Sequence, residues 1–530
     1  MAFNLPNLRE AFAGAARPLP VLPNYRRQRS RLERIFKHGS FLAFCIFLGL
    51  FYGFFYTLFP PQLLVLLGVP ILLLALLVIW ALPDTDHPPV KLLNRLFFAY
   101  LVALVLWPNY MAIALPGLPW MTMRRLIAFP MAAVLAISYS TSSRFRHEIS
   151  DSLSAARPLA YMMAAFTVVQ FYTIFLSDSP PFSFNFTLNY WFAATLIFFA
   201  GAWAMMKDGR PQRFVWIMVG MALFLCVIAV FEFRNRAVLW AGHIPSFLQV
   251  QDELMARYLS PSSRDDEYRA ITTFSVSLSF AEYLALVTPF VIHLLMKSRA
   301  LLAVIAWVVA DLALLLAINL TQSRLGILGW ITAHGVYGCL WAFRRWRTRK
   351  ADIIAPAVSL VYPLGAMLFF IGMFTVPAIR NRTIGGGSTG FSDEARQIQF
   401  HMMWPKLFQN PFGYGGGRSG DILGYRLPGG LLTVDSYVIT LLLDYGVIGF
   451  ALFAGMLLYA AAKMAQIAWQ NPRGELDLTL PLACTMVIAV QVRLVLSQAD
   501  NVPLLYMLMG MAAALAWRAR KVSLQASAAA

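Results

Sequence analysis

Apolar residues in this chain come in long runs, broken by prolines, glycines and clusters of charge. A helix rises 1.5 Å per residue, so about 20 apolar residues cross the roughly 30 Å hydrocarbon core of a bilayer. Runs of that length lie at approximately 40–59, 63–82, 92–114, 125–142, 159–176, 187–206, 214–232, 271–295, 300–320, 325–343, 353–375, 433–460, 479–497 and 501–518. They predict an all-α fold, a polytopic integral membrane bundle of about fourteen helices with one large, partly helical outer loop.

Composition agrees: 59% of residues are hydrophobic, 13% are charged, and the mean hydropathy is +0.64. Soluble domains run nearer to about 25% charged residues. The net charge of +18 raises the question of nucleic acid, but the basic residues punctuate apolar runs instead of lining one face, which argues against that partner. Cys45, Cys226, Cys339 and Cys484 all fall inside apolar runs with no C-x-x-C pair, so neither structural disulfides nor a zinc site is expected. Residues 1–38 are polar and Arg-rich without the apolar core of a signal peptide, and read as a cytosolic tail.

Basic residues also give a direction. With a cytosolic N-terminus, the inner segments collect Arg26 to Lys37, then Lys91 and Arg95, Arg144, Arg146 and Arg157, Lys207 to Arg213, Lys297 and Arg299, the run Arg344 to Lys350, Lys463 and Arg473, and Arg518 to Lys521. Cytosolic loops of membrane proteins carry such an excess. The division that follows is a cytosolic tail 1–38, eleven membrane helices over 39–375, an outer loop 376–432, three helices over 433–518, and a cytosolic tail 519–530. Among the outer segments Lys406 is the only lysine. Arginine's planar, permanently charged fork suits phosphate oxygens, although arginine dominates this chain everywhere.

Two outer segments are long, about 233–270 and 376–432. Long loops in a compact bundle are usually functional or disordered. In the second, the spacing of Ile398, Met402, Pro405 and Leu407 predicts a short helix over Glu394 to Phe408, lying across the bundle. The same loop carries Arg380, Arg382, Gly385-Gly386-Gly387, Arg396, Trp404 and Asn410-Pro411-Phe412-Gly413-Tyr414-Gly415-Gly416-Gly417-Arg418. It closes on Asp435-Ser436-Tyr437, followed by Tyr445-Gly446 and Gly449.

Together with Thr321-Gln322-Ser323-Arg324-Leu325-Gly326 at an earlier outer turn, this ordered set resembles the O-antigen ligase and O-antigen polymerase superfamily. Members pair an outer turn reading S-R-G with a large outer loop reading R, W, P-x-G-x-G and then H-N, with a Gly eleven residues after that His. The resemblance covers about 125 residues, Thr321 to Gly449. Two features depart from the pattern: one residue is inserted in Ser323-Arg324-Leu325-Gly326, and Asp435 stands where the family has His, since Gly446 is eleven residues on. The second departure leans toward the polymerase members.

The resemblance implies a glycosyltransferase in a bacterial inner membrane, with both termini cytosolic, acting at the periplasmic face. Its donor would be an undecaprenyl-pyrophosphate-linked glycan, and its partners the membrane lipid and a flippase and chain-length regulator. No cofactor, metal or nucleic acid is implied. The product would be an exopolysaccharide or O-antigen polymer; en bloc ligation of a finished glycan to another acceptor is the sister activity. By match to the family, Arg324 and Arg396 would bind the pyrophosphate, with Arg380, Arg382 and Arg418, and with Trp404 and Tyr437, as further substrate contacts. Asp435 would take a proton from the acceptor hydroxyl or orient it, and an Asp at that place could equally cap the next helix. The glycines could cradle phosphate through backbone N–H groups or merely loosen the loop.

Other patterns weigh against other functions. Asp84-Thr85-Asp86 has the form of a metal and sugar-nucleotide site, but it lies on the inner side between prolines, away from the arginine loop. Glu282, Asp311, His334, Asp444 and Arg493 fall inside predicted helices. Each is costly in lipid, so pairing, Arg493 with one of the acids, or an aqueous cavity is expected. A lipid-linked oligosaccharide flippase or other transporter would often show two related halves and matched broken helices, neither of which is apparent. A silent scaffold in an export complex is the remaining alternative.

Overall fold

The computed structural model describes residues 72, 74–113, 120–249, 259–260, 263–264, 267–350, 353–376, 390–427, 430, 432–470 and 472–529. The predicted tail 1–38, the run 40–59, half of 63–82, and Arg380, Arg382 and Gly385 to Gly387 fall outside them. Beyond residue 90 every predicted run contains a helix. These are α1 (Val90–Leu106), α2 (Met123–Thr141), α3 (Ser143–Ala155), α4 (Arg157–Tyr172), α5 (Pro180–Tyr190), α6 (Leu196–Ala204), α7 (Arg210–Asn235), α8 (Ser277–Lys297), α9 (Leu301–Leu320), α10 (Arg324–Thr348) and α11 (Ile354–Thr375). They continue with α12 (Gly390–Gln409), the single turn α13 (Ser419–Leu423), α14 (Tyr437–Trp469), α15 (Thr479–Arg493) and α16 (Val502–Ala529). Among the described residues nine helical segments are long and apolar enough to cross a membrane, ten if α2 and α3, bent by 106°, form one broken span. The full count of fourteen is not reached among them.

Local chemistry explains the changed boundaries. The run 92–114 yields a helix only to Leu106, because Pro108 follows and the chain instead forms a short antiparallel ribbon, β1 (Ala112–Ile113) with β2 (Met121–Thr122). The chain bends sharply after α2, where Ser142 is extended and its hydroxyl accepts the Phe145 N–H to start α3. Between α5 and α6 a π-turn, Trp191–Thr195, keeps the two segments continuous.

Apolarity does not predict depth. α8 is buried along nearly its whole length, and α15 and α16 are largely buried. The still more apolar α9 exposes Leu301, Leu302, Val309, Leu312 and Leu316, as expected of a helix facing lipid. Several charged groups inside the bundle are paired. Asp311 on α9 lies 3.2 Å from His334 Nε2 on α10 and accepts the Trp330 indole N–H at 3.2 Å. Near the end of α7, the buried Glu232 carboxylate accepts the Tyr268 hydroxyl and the backbone N–H groups of Ile271 and Thr272, each at 2.8 Å. Burial, with that carboxylate beside it, holds the Tyr268 phenol well above its ordinary range.

Close helix packing relies on small residues, as lipid-embedded interfaces do. α16 crosses α6 at Gly510, where an added Cβ would stand 2.6 Å from the Phe198 carbonyl oxygen and 2.8 Å from the Ala202 nitrogen. Gly510→Val should therefore force the two helices apart. The expected cost is about 1–3 kcal/mol, read as a lowered thermal midpoint of the detergent-purified protein, whereas Gly220→Ala, which meets nothing within 4 Å, should leave the midpoint unchanged.

Candidate functional site

The site is organised by a break in a membrane helix. Within α14, Gly446 adopts φ 68° and ψ −174°, which interrupts the backbone ladder. In a water-poor setting the freed groups must find partners. They find them in the Pro-x-Gly-x-Gly segment: Tyr414 N–H donates to the Leu443 carbonyl at 2.7 Å, Gly415 N–H to the Asp444 carbonyl at 3.0 Å, and Val447 N–H to the Pro411 carbonyl at 3.0 Å. The approach is so close that a Cβ on Gly446 would lie 2.3 Å from the Pro411 oxygen, and one on Gly413 would lie 2.6 Å from the Asp444 oxygen. The Asp444 carboxylate completes the joint, accepting Gly417 N–H at 2.9 Å and Ser419 N–H at 2.7 Å.

This geometry decides what the glycines do. Gly446 serves a helix break, while Gly449 and Gly455 pack against neighbouring side chains. The N–H groups of Gly415 and Gly417 already donate to α14, so the glycine run is a docking segment and not a phosphate cradle.

Docking of this segment fixes α12 over the end of the bundle. Its buried stripe is Ala395, Gln399, Met403 and Leu407, the last two packing against Ile439, Leu442 and Leu443 of α14. That stripe is rotated from the expected one: Ile398 is exposed. Gln399 is wholly buried and clamps Asp435 twice, its Nε2 donating to the carboxylate at 3.0 Å and its Oε1 accepting the Asp435 N–H at 2.9 Å. Thr433 Oγ1 adds a longer bond at 3.4 Å. Asp435 is not the helix cap. α14 starts at Tyr437 after Ser436, whose hydroxyl donates to the Leu494 carbonyl at 2.8 Å.

Arg324 is the first residue of α10, and Ser323 caps that helix by accepting the Gly326 N–H at 3.3 Å. The inserted Leu325 is buried. Gly326 is pressed against α8, where a Cβ would stand 2.8 Å from that of Ala281. The neighbouring Glu282 forms a fully buried ion pair with both carboxylate oxygens on Arg493 Nη2, and also accepts Asn501 Nδ2 at 2.8 Å. Arg493 further donates to the Gln498 carbonyl at 2.6 Å and stands 5.1 Å over the Tyr437 ring. Packed contacts therefore run from the start of α10 through Ala281, Glu282, Arg493 and Leu494 to Ser436, Asp435 and Gln399. Arg396 lies one turn before Gln399. Arg324, Arg396 and Asp435 thus share one end of the bundle, each half-buried.

The other expected contacts are placed as follows. Tyr437 is buried between Arg493 and Phe453. Arg418 is bound to Asp421 at 2.6 Å and lies 6.0 Å over Phe182. Trp404 stacks on Phe408 with ring centres 5.9 Å apart, both exposed on the outward face of α12. Gln399 escaped the sequence reading; its one signal was its position three residues after Arg396, on the same helix face.

Comparison with protein families matches residues 309–454 to the family described as O-Antigen ligase. No curated protein matches the chain. The matched segment runs from within α9 to within α14 and includes Arg324, Arg396, Asp435 and Gly446.

Two outcomes follow from the geometry. Glu282→Ala leaves the Arg493 charge buried without its partner and should cost about 3–5 kcal/mol of stability. The double variant Glu282→Gln with Arg493→Met should recover most of that loss in a thermal unfolding series. Gly446→Ala places a Cβ against Pro411 at a positive φ, so limited proteolysis should cut within 411–419 faster than in the native protein.

Proposed function

We propose, from the premise that the chain carries an O-antigen ligase family domain over residues 309–454, that it polymerises lipid-linked oligosaccharide repeat units at the outer face of a bacterial inner membrane. The donor is an undecaprenyl-pyrophosphate-linked glycan and the acceptor a hydroxyl of an incoming repeat unit. The observation that carries this reading is the gathering of Arg324, Arg396 and a clamped Asp435 at one end of the bundle, beneath a helix docked into a broken span.

The reaction breaks the bond between the anomeric carbon and the pyrophosphate oxygen and forms a bond from that carbon to the acceptor oxygen. Negative charge grows on the departing pyrophosphate while one proton leaves the acceptor. Arg324, at the first position of α10, adds its charge to the positive end of a helix dipole, an arrangement suited to phosphate oxygens. Arg396 supplies a second fork. Fixed guanidinium groups stabilise charge that develops only as the bond breaks. The Asp435 carboxylate receives the acceptor proton, and the Gln399 amide and Thr433 hydroxyl hold it in one orientation without neutralising it. The exposed Trp404 and Phe408 rings offer apolar faces for sugar rings nearby.

Polymerisation is favoured over ligation because a carboxylate occupies the position at which family members carry histidine. Purified protein given lipid-pyrophosphate repeat units should yield a ladder of lengths insensitive to a chelator; a single transferred product on a different acceptor would assign ligation instead. Arg324→Ala and Arg396→Ala should each lower turnover by roughly 10²–10³-fold. Asp435→Ala should lower it by roughly 10²–10⁴-fold. Gln399→Leu should fall between these and the native enzyme, at equal levels of folded protein in every case. Full polymer formation by the Asp435 and Arg324 variants would reject the transferase reading.

A further inference from the structure

At the end of the bundle opposite Asp435, the last turns of α8 and α10 and the start of α15 enclose a cavity of about 300 Å³, at the lower end of small-ligand clefts. Its rim carries Lys297, Arg344, Arg345 and Arg349, with Asp477 the one acid among the described residues that line it. That acid is engaged, holding Arg344 Nη1 at 2.5 Å. Among the described residues no acidic partner is recorded for Lys297 or Arg349, which are exposed at the mouth. The inner wall is of another kind. Trp341 and Leu480 are apolar, and Arg345 lies 5.1 Å over the Trp341 ring, so its charge is presented along an aromatic surface.

A second feature points to a ligand. His293 is 4% exposed, receives or donates one bond to the Tyr337 hydroxyl through Nδ1 at 3.1 Å, and lines the cavity. Its Nε2 is buried without a hydrogen-bond partner among the described residues, the Asp477 oxygen being 3.7 Å away. Buried polar atoms are normally satisfied, and one left open beside a cationic cavity is a place for a ligand oxygen.

We propose that this cavity binds a phosphate anion, with Lys297, Arg345 and Arg349 around its charge and His293 Nε2 bonding one oxygen. The amphipathic lining, charged at the mouth and aromatic within, and the position at the end of a membrane bundle favour the headgroup of an anionic phospholipid over free phosphate. The site is separate from the Asp435 end, and the proposal stands whatever reaction is catalysed there.

The test follows the thermal midpoint of the full-length protein in neutral detergent with added phosphatidylglycerol, phosphatidylcholine or inorganic phosphate. Phosphatidylglycerol should raise the midpoint by about 3–5 °C, and Lys297→Gln with Arg349→Gln should lose at least half of that rise. A shift with phosphatidylglycerol alone assigns a lipid headgroup, and an equal shift with inorganic phosphate assigns the free anion. If the double variant fails to fold, native mass spectrometry of the wild type should retain phosphatidylglycerol in preference to phosphatidylcholine, and Trp341→Ala should reduce that retention. No anion-dependent shift, an equal shift in the variant, or indifferent lipid retention overturns the proposal.

Discussion

A single backbone exchange supports the rest of this end of the bundle: α14 gives up its helical ladder at Gly446, and the segment from Pro411 to Ser419 takes its place. An unsatisfied peptide group in lipid costs several kcal/mol, so a break of this kind persists only if another strand of backbone repairs it. Three main-chain bonds and the two N–H groups held by the Asp444 carboxylate make the repair. The dependence is mutual. Without the break, the loop would have no acceptors inside the bundle; without the loop, the break would leave carbonyls bare. This is why a loop of more than fifty residues in the predicted topology can end in a rigid joint, and why α12 stands at a defined height above the helices.

Charge burial sets the second constraint. The Glu282–Arg493 pair is inside the protein, where its Coulomb attraction is strong but its desolvation is also costly, so such a pair adds little net stability. Its consequence is positional. Arg493 cannot leave Glu282, and it lies over Tyr437 at the first turn of α14 while Leu494 receives the Ser436 hydroxyl. The start of α14, and with it Asp435, is thereby tied to α8 and α15. Gln399 then holds Asp435 from the other side through α12.

The sequence reading recovered what hydropathy encodes and missed what depends on distant pairing. Long apolar runs demand helices because lipid leaves the backbone no other partner, and each run beyond residue 90 contains one. The order of burial was hidden, since α9 is more apolar than α8 yet faces outward; lipid and protein interior are equally dry. That Arg493 must meet an acid was legible from the cost of an unpaired charge, but which acid was not, because Glu282 lies 211 residues away. The break at Gly446 was not legible because nothing local reveals a positive φ, and the partner that explains it is the loop before it. Asp435 looked like a cap because its acceptor role toward Gln399 depends on how α12 is rotated, a rotation that the exposed Ile398 shows was misjudged by the side-chain spacing alone.

These constraints also reach beyond the family-like segment. Residues 309–454 bring Arg324, Arg396 and Asp435 together with the Gln399 clamp, yet further groups that position them lie outside that segment: Ala281 bears on Gly326, and Arg493 and Leu494 hold the head of α14. Charge stabilisation in a reaction is effective when the groups do not have to reorganise as the charge appears. A guanidinium on a loop in water would meet that demand poorly, because it would exchange solvent with every turnover. On the transferase reading proposed above, Arg324, at the first turn of a helix whose glycine is wedged against α8, and Asp435, clamped by a buried amide, would be held before substrate arrives. The wider bundle would then be part of the chemistry, converting a set of ordinary polar residues at a membrane edge into a fixed electrostatic frame.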